Sequence, residues 1–269
     1  MIKHISPNEE ERTRVERGRS GLNPLPEISV VVPVHDEEEN IVPLAGEVRS
    51  ALAASFDYEL IFVNDGSGDG TLDRLRELAG RDPRVRALSH GMRSGQSMAL
   101  CSGVRAARAP LVATLDGDRQ NDPADIPRLV ETIRDPARPA RLALVAGMRT
   151  RRRDSLVKRI SSRIANGVRS RILHDRTPDT GCGLKVFLRE AFLALPHFDH
   201  MHRYLPALFL GQGWEVRSVE VRHRPRAGGR THYGTLDRLG VGIVDLFGVL
   251  WLLRRSKIPE VTEVGRHDT

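Results

Sequence analysis

The stretch Leu111-Val-Ala-Thr-Leu-Asp116-Gly-Asp118-Arg-Gln120-Asn-Asp-Pro123 decides how this chain is read. An apolar run of strand character gives out in two carboxylates spaced i, i+2; an amide follows two residues later, and a proline opens a helix. Side chains alternate along an extended chain, so Asp116 and Asp118 point the same way. Carboxylate and amide oxygens gathered where a strand ends are what a hard divalent cation takes, and such a cation usually carries phosphates with it. The same residues also satisfy a plainer arrangement, a solvated turn in which Asp122 caps the helix begun by Pro123. The position at the end of a buried strand, with Gln120 as a third ligand, favours the cation site.

Upstream, Ile28-Ser-Val-Val-Val-Pro33-Val reads as a strand buried on both faces, and His35-Asp-Glu-Glu-Glu-Asn40 as a polar loop into a helix reaching about Leu52. Tyr58 to Val63 gives a second strand, ended by Asn64-Asp65-Gly-Ser67-Gly-Asp-Gly-Thr71 and followed by a helix from Leu72 to Ala79. A third strand spans Val85 to Ser89 and a helix Gln96 to Ala107. Downstream lie a strand from Arg141 to Gly147, a basic helical pattern from Leu156 to Leu173, and a glycine-punctuated return, Asp179-Thr-Gly-Cys-Gly-Leu-Lys185-Val-Phe187. Trp214 to Val221 alternates as a half-exposed strand, and a basic loop runs from His223 to Tyr233. Strands alternating with helices predict an α/β fold with a mostly parallel sheet, whose ligand sites gather at the carboxyl ends of the strands.

The totals agree with one large α/β domain in 269 residues. Aromatics make up only 4%, so the core rests on Val, Leu, Ile and Ala, which suits strands covered by helices on both sides. A formal net charge of +7 and a pI near 10.1 predict affinity for anions, whether phosphorylated substrates, nucleic acid or an acidic membrane surface. The arginines from 149 to 153 lack aromatic neighbours for base stacking, which argues against nucleic acid. Cys101 and Cys182 stand far apart, so neither a disulfide framework nor a zinc site is expected. No GxxxxGK[ST] and no GxGxxG after the first strand occurs, which excludes a P-loop and disfavours a dinucleotide fold. Residues 1–26 read as a mobile extension without a secretory signal, 27–235 as the catalytic domain, 236–255 as an amphipathic helix and 256–269 as a tail. The apolar Leu236 to Leu253 carries Asp237, Arg238 and Asp245, so it fits an interfacial or a core-packing helix and not a bilayer span.

Three motifs in order, Val-Val-Pro33-Val-His35-Asp-Glu37, Val-Asn-Asp65-Gly-Ser67-Gly-Asp-Gly-Thr71 and Leu-Asp116-Gly-Asp118-Arg-Gln120-Asn-Asp-Pro123, resemble the family 2 glycosyltransferases. Gly147-Met-Arg149, the Asp179 to Lys185 stretch and Arg226-Ala-Gly-Gly-Arg-Thr231-His232-Tyr233 resemble the dolichol-phosphate mannosyltransferase branch, which includes bacterial polyprenyl-phosphate glycosyltransferases. The resemblance covers about Ile28 to Leu253. It implies the GT-A (Rossmann-like) fold, a nucleoside-diphosphate sugar as donor and a polyprenyl phosphate as acceptor. Pro33, His35 and Glu37 would then line the nucleotide pocket, with Asp65 on the base; Asp116, Asp118 and Gln120 would hold Mg2+ or Mn2+ against the donor diphosphate. Arg149, Ser155, Lys185, Arg226 and His232 would surround the acceptor phosphate, with Asp116, Asp118, Arg149 and Arg226 closest to the chemistry. Two departures stand out: Lys185 occupies a place where the family commonly has Arg, and Thr231-His232 one where it has Ser-Lys. The latter puts a titrating donor where a permanent cation is usual.

A lipid phosphate is already an anionic nucleophile, so it needs positioning and relief from repulsion more than a general base. In-line attack at the anomeric carbon predicts inversion. The enzyme is expected as a peripheral protein on the cytoplasmic leaflet of the cell membrane, with a membrane-protein partner or a second copy left open. Two rivals remain: a transferase with a saccharide or small-molecule acceptor, and a non-catalytic anion or nucleic-acid binder.

Overall fold

The computed structural model describes residues 25–149, 171–173, 175, 177–225 and 235–257, the side chains of 235–241 excepted. Within it, seven strands form one sheet: β1 Ile28–Val34, β2 Tyr58–Asp65, β3 Val85–His90, β4 Leu111–Thr114, β5 Leu142–Arg149, β6 Lys185–Leu188 and β7 Glu215–Val221. The described helices are α1 Glu38–Leu52, α2 Thr71–Arg81, α3 Gln96–Ala106, α4 Ile126–Arg134, α5 Arg189–Leu193, α6 Leu205–Gly211 and α7 Thr235–Arg255. The strand order is β3-β2-β1-β4-β6-β5-β7.

Successive residues of the central strands feed opposite layers. Val30, Val32, Leu60 and Phe62 enter one core with Leu44, Val48, Leu129 and Ile133, whereas Val31, Ile61 and Val63 enter the other with Leu100, Val104, Phe192 and Phe209. Burying each of these side chains is worth about 1.5–3 kcal/mol, which is why a chain so poor in aromatics holds its sheet. In α4, Ile126, Leu129, Val130 and Ile133 recur at helical spacing and are buried, while Arg128, Glu131 and Thr132 face outward.

The strand order fixes the site. From β1 the chain winds to β2 and β3 on one side, then returns to place β4 on the other side of β1. A crevice opens at such a switch point, beyond the carboxyl ends of β1 and β4. The expected parallel sheet holds for every pairing except those of β6, which runs antiparallel to β4 and β5. Thr114 pairs with Lys185, so the first residue of β6 arrives at the same end as the last residue of β4. The sequence reading saw this segment only as a return into the core, because four residues beginning with a lysine offer no period. Helices α5 and α6 were likewise too short to announce themselves.

The C-terminal helix packs one side on the domain and leaves the other in solvent. Val249 is buried, and Leu246, Leu250 and Leu253 pack on the core that includes Leu205 and Phe209. His200 Nδ1 lies 2.9 Å from Asp245 Oδ2, and the Tyr204 hydroxyl donates to the Gly242 carbonyl at 3.2 Å. Outward stand Val244, Phe247 and Trp251, each more than 60% exposed, followed by Arg254 and Arg255. Among the described residues no helix is long and apolar enough to cross a membrane. The basic helical pattern expected from Leu156 lies, apart from Arg171 to Leu173, outside the described residues, as do the extension up to residue 24 and the tail from 258.

Candidate active site at the switch point

The carboxylate turn sits where the topology puts it, and small residues let it sit close. A β-carbon on Gly117 would come within 2.8 Å of the Val34 side chain and 3.2 Å of the Pro33 carbonyl, so only glycine lets the turn lie against the end of β1. A β-carbon on Gly183 would overlap the Asp116 carboxylate. Those two glycines bring Pro33, Asp116 and the segment ahead of β6 into one place. Gln96, the first residue of α3, donates its amide to Asp116 Oδ1 at 2.9 Å. Asp118 accepts from the Gln120 backbone N–H at 3.2 Å, and Asp122 caps the following turn through the Ala124 N–H at 3.0 Å. The capping role expected of Asp122 is thus present beside the carboxylate pair.

The charges around Asp116 are mixed. Burial, and next the neighbouring Asp118, push the Asp116 carboxyl up to about 6. Lys185 and Arg149 pull the other way. Lys185 is 4% exposed; its ammonium donates to the Cys182 carbonyl, and burial drives its pKa down. Arg149, at the end of β5, is held by Asp179 through Nε at 2.7 Å and Nη2 at 2.8 Å, with a further bond from its backbone N–H at 3.2 Å. Cys101 and Cys182 are both free and buried, and burial pushes the Cys182 thiol up, which makes it a packing residue and not a nucleophile.

Two neighbouring carboxylates, one of which raises the cost of ionising Asp116, with an amide nearby, have the chemistry to take a divalent cation. Among the described residues no group of three or more His, Cys, Asp or Glu converges. A cation held here would draw on Asp116, Asp118 and Gln120 and take its remaining ligands from phosphate oxygens and water, the way Mg2+ is commonly held beside a substrate phosphate.

At the carboxyl ends of β1 and β2, His35 Nδ1 lies 2.9 Å from the Asp65 carbonyl, which makes that nitrogen the donor. The Glu37 backbone N–H donates to Thr71 Oγ1 at 2.9 Å, joining the loops after β1 and β2. Asp65 accepts from Ser94 N–H and Gly95 N–H, each at 2.8 Å, and contacts His90 Nδ1 at 2.8 Å. Burial opposes its ionisation, but those donors hold the carboxyl below the usual range. Asp65 therefore shapes the loop from His90 to Gly95 whatever else it touches, and His90, also 2.9 Å from Ser102 Oγ, is a structural bridge.

Of the residues expected around an acceptor phosphate, Arg149 and Lys185 are brought to Asp116, whereas Ser155, Arg226 and His232 lie outside the described residues. The sequence reading assigned no role to Gln96, Asp179, Arg224 or His202. Gln96 and Arg224 carry no spacing signal; Asp179 was visible only as part of a motif. His202 Nδ1 lies 2.7 Å from Ser97 Oγ, and burial, then Arg203, drive its pKa down to about 3. A depressed folded pKa means the stability it contributes is present above 6.5 and lost as pH falls towards 3. We expect His202→Gln to flatten the acid limb of a thermal-stability profile between pH 6.5 and 5 by about 1–2 kcal/mol; an unchanged limb would refute a buried neutral imidazole.

A doubly covered sheet, a carboxylate turn at its switch point and basic groups opposite define the class: a glycosyltransferase of the GT-A type. The family model described as glycosyl transferase family 2 matches residues 29–195, and the chain belongs to that family. It is 34% identical over 255 residues to a dodecaprenyl-phosphate galacturonate synthase from Rhizobium johnstonii, covering 92% of this chain and 74% of that protein. It is 32% identical over 216 residues to an undecaprenyl-phosphate 4-deoxy-4-formamido-L-arabinose transferase from Edwardsiella ictaluri, covering 80% of this chain but 65% of that protein. Among solved structures, glucosyl-3-phosphoglycerate synthase from Mycobacterium tuberculosis with Mn2+, UDP and phosphoglyceric acid superimposes with a TM-score of 0.63 at 21% identity, over 92% of this chain and 83% of that one. A mannosyltransferase from Pyrobaculum calidifontis with GDP-Man and Mn2+ gives 0.62 at 20% identity, over 93% and 73%. These two likenesses show the fold.

Proposed function

We propose that this chain transfers a sugar, with inversion, from a nucleoside-diphosphate donor to a polyprenyl phosphate. The observation that carries the reading is the convergence at one switch point of an acidic turn, Asp116 and Asp118, with Arg149 and Lys185. Sequence relatives named for transfer to dodecaprenyl or undecaprenyl phosphate support the acceptor. Asp116, Asp118 and Gln120 would hold Mg2+ or Mn2+, which supplies positive charge to the leaving diphosphate. Pro33, His35, Glu37 and Asp65 would frame the nucleotide. Arg149, steadied by Asp179, would orient the acceptor phosphate for in-line attack together with Ser155, Arg226 and His232. No general base is required, since the nucleophile is already charged.

We place the enzyme at the inner face of the cell membrane as a peripheral protein. The outer stripe of α7, Val244, Phe247 and Trp251, would lie at the headgroup level, with Arg254 and Arg255 each adding about 1 kcal/mol on an anionic surface. A saccharide acceptor would instead need a carboxylate base, and of the carboxylates near Asp116 that of Asp179 is already bound to Arg149.

A donor panel of GDP-mannose, UDP-glucose, UDP-galacturonate and UDP-pentoses, offered with undecaprenyl phosphate in anionic vesicles and Mn2+, tests the reading by mass spectrometry of the lipid. One donor should give a glycosyl phospholipid. The double substitution Phe247→Asp/Trp251→Asp should cut that turnover about tenfold while sparing a short-chain prenyl phosphate in solution. Sugar appearing on glycans or small molecules, and on no lipid, would sink the acceptor assignment.

A further inference from the structure

Outside the groups already assigned a role, a dense charged cluster among the described residues joins three distant pieces of chain behind the carboxylate turn. Glu47 stands on α1, anchored by the buried Leu44 and Val48 around it. Its Oε1 accepts from Arg119 Nε at 3.1 Å and from Arg119 Nη2, and its Oε2 from Arg224 Nη1 at 2.8 Å. Arg224 Nη2 reaches Asp122 Oδ1 at 2.6 Å. The Arg224 backbone N–H donates to the Gln120 carbonyl at 2.9 Å, and Asn121 pairs with His223 as an isolated antiparallel bridge. Next to it, the Arg222 N–H donates to Asp125 Oδ2 at 2.7 Å.

Two bonds from a backbone N–H to a side chain lie within the turn from Asp116 to Asp122. Its internal bonds are long: 3.4 Å from the Asp116 N–H to Asn121 Oδ1, and 3.2 Å from the Gln120 N–H to Asp118 Oδ1. Arg119 adopts φ 60°, a left-handed conformation that costs a non-glycine residue about 1 kcal/mol or more and persists where surroundings over-determine it. The short bonds come from outside: Gln96 holds Asp116 at 2.9 Å, and Arg224 and Glu47 hold the far half of the turn through Asp122 and Arg119. Charge-assisted bonds of this kind are shorter and roughly twice as strong as neutral ones.

We infer that Arg224 is a positioning residue for the donor site: clamped between Glu47 and Asp122, it holds the Asp116–Asp122 turn in its cation-binding shape and ties that turn to the segment between β7 and Arg226. The inference rests on the donor-site reading above, and adds to it a physical link by which the donor turn and the segment leading to Arg226 share one clamp. Arg224 is 38% exposed along its side chain, so as an ordinary surface ion pair it would matter little to stability. Its weight is on geometry. Lysine cannot replace it fully, because one ammonium cannot present a planar fork to two carboxylates at once.

Calorimetry on the full chain with Mn2+ and UDP or GDP, whichever the wild type binds, tests this. Arg224→Ala should weaken Mn2+–nucleotide binding about tenfold and raise the donor KM by the same factor, with kcat falling no more than about threefold and Tm moving by no more than about 3 °C. Glu47→Gln added to Arg224→Ala should lose less than the sum of the two single losses, since Arg224 acts in part through Glu47 while Glu47 also holds Arg119. Arg224→Lys should recover part of the affinity. Asp118→Ala serves as the control for the donor site itself. If Asp118→Ala loses binding while Arg224→Ala keeps wild-type affinity, the inference is overturned and the donor site stands. If Asp118→Ala binds as well as the wild type, the donor-site reading falls and the clamp's role falls with it. A collapse of Tm in Arg224→Ala and Arg224→Lys alike, at unchanged donor KM, would make Arg224 structural and also overturn the inference.

Discussion

Asp118→Ala is expected to lower sugar transfer by about 10³-fold while leaving the protein folded, and Asp116→Asn to do the same while making the metal-free protein more stable. Groups aimed at charge that develops on a leaving group are each worth about 10²–10³ in rate when removed, and Asp118 stands in a solvent-reached turn, not in either core. Asp116 is half-buried like Asp118, and the shift of its carboxyl sets the second expectation. Its carboxyl rises from 3.8 to about 6 because burial, and then Asp118, disfavour its charge. A raised folded pKa means that the contribution of this group is most favourable below about pH 4 and is lost as pH climbs through 6. At pH 7.5 without a cation the protein therefore carries an ionised Asp116 at a cost bounded by about 3 kcal/mol. Asparagine keeps the shape and the partner amide of Gln96 but removes the charge. Thermal unfolding in EDTA should show a Tm for Asp116→Asn a few degrees above wild type, with the gap closing as pH falls to 4. A lower Tm at pH 7.5, or transfer persisting in excess EDTA, would refute a carboxylate pair kept for a cation.

The site was legible at Asp116 and poorly so elsewhere. The carboxylates of this turn follow one another in sequence at the end of an apolar run, so Leu111 to Pro123 announced the strand and the acidic turn that follows it. The same holds for β1 and β2, whose buried runs predicted strands within two residues of the observed ends. The other half of the site is assembled across the sheet. Lys185 reaches Asp116 only because β6 runs antiparallel between β4 and β5, a pairing that four residues cannot signal. Gln96 meets Asp116 because α3 begins at the same edge, and Arg224 meets Asp122 across 102 residues. Such contacts depend on strand order, which local pattern does not specify. The C-terminal helix shows the limit in another form: its apolar residues suited a core helix and an interfacial one, and the fold uses Val249 for the first while leaving Phe247 and Trp251 outside.

Asp179→Ala should be the most damaging substitution away from the carboxylate turn, lowering both stability and turnover. Asp179 is 6% exposed and Arg149 18% exposed along their side chains, and the pair is joined by two side-chain bonds of 2.7 and 2.8 Å. Removing one partner leaves a guanidinium desolvated and uncompensated, which costs about 3–5 kcal/mol and lowers Tm by about 10 °C. If Arg149 orients the acceptor as proposed, turnover should fall about 10²–10³-fold even at temperatures where the variant is folded, because Arg149 loses the fork that fixes its plane. Stability and orientation can be separated. In Arg149→Met/Asp179→Leu both charges are gone, and a buried pair replaced by apolar groups of similar volume is often neutral or stabilising. That double variant should regain most of the lost Tm and none of the activity. The pairing thus contributes direction to Arg149 more than it contributes to the fold, and thermal unfolding set beside lipid-product turnover decides it: a double variant as active as wild type would remove Arg149 from the acceptor site, and an Asp179→Ala protein with unchanged turnover would remove Asp179 from its support.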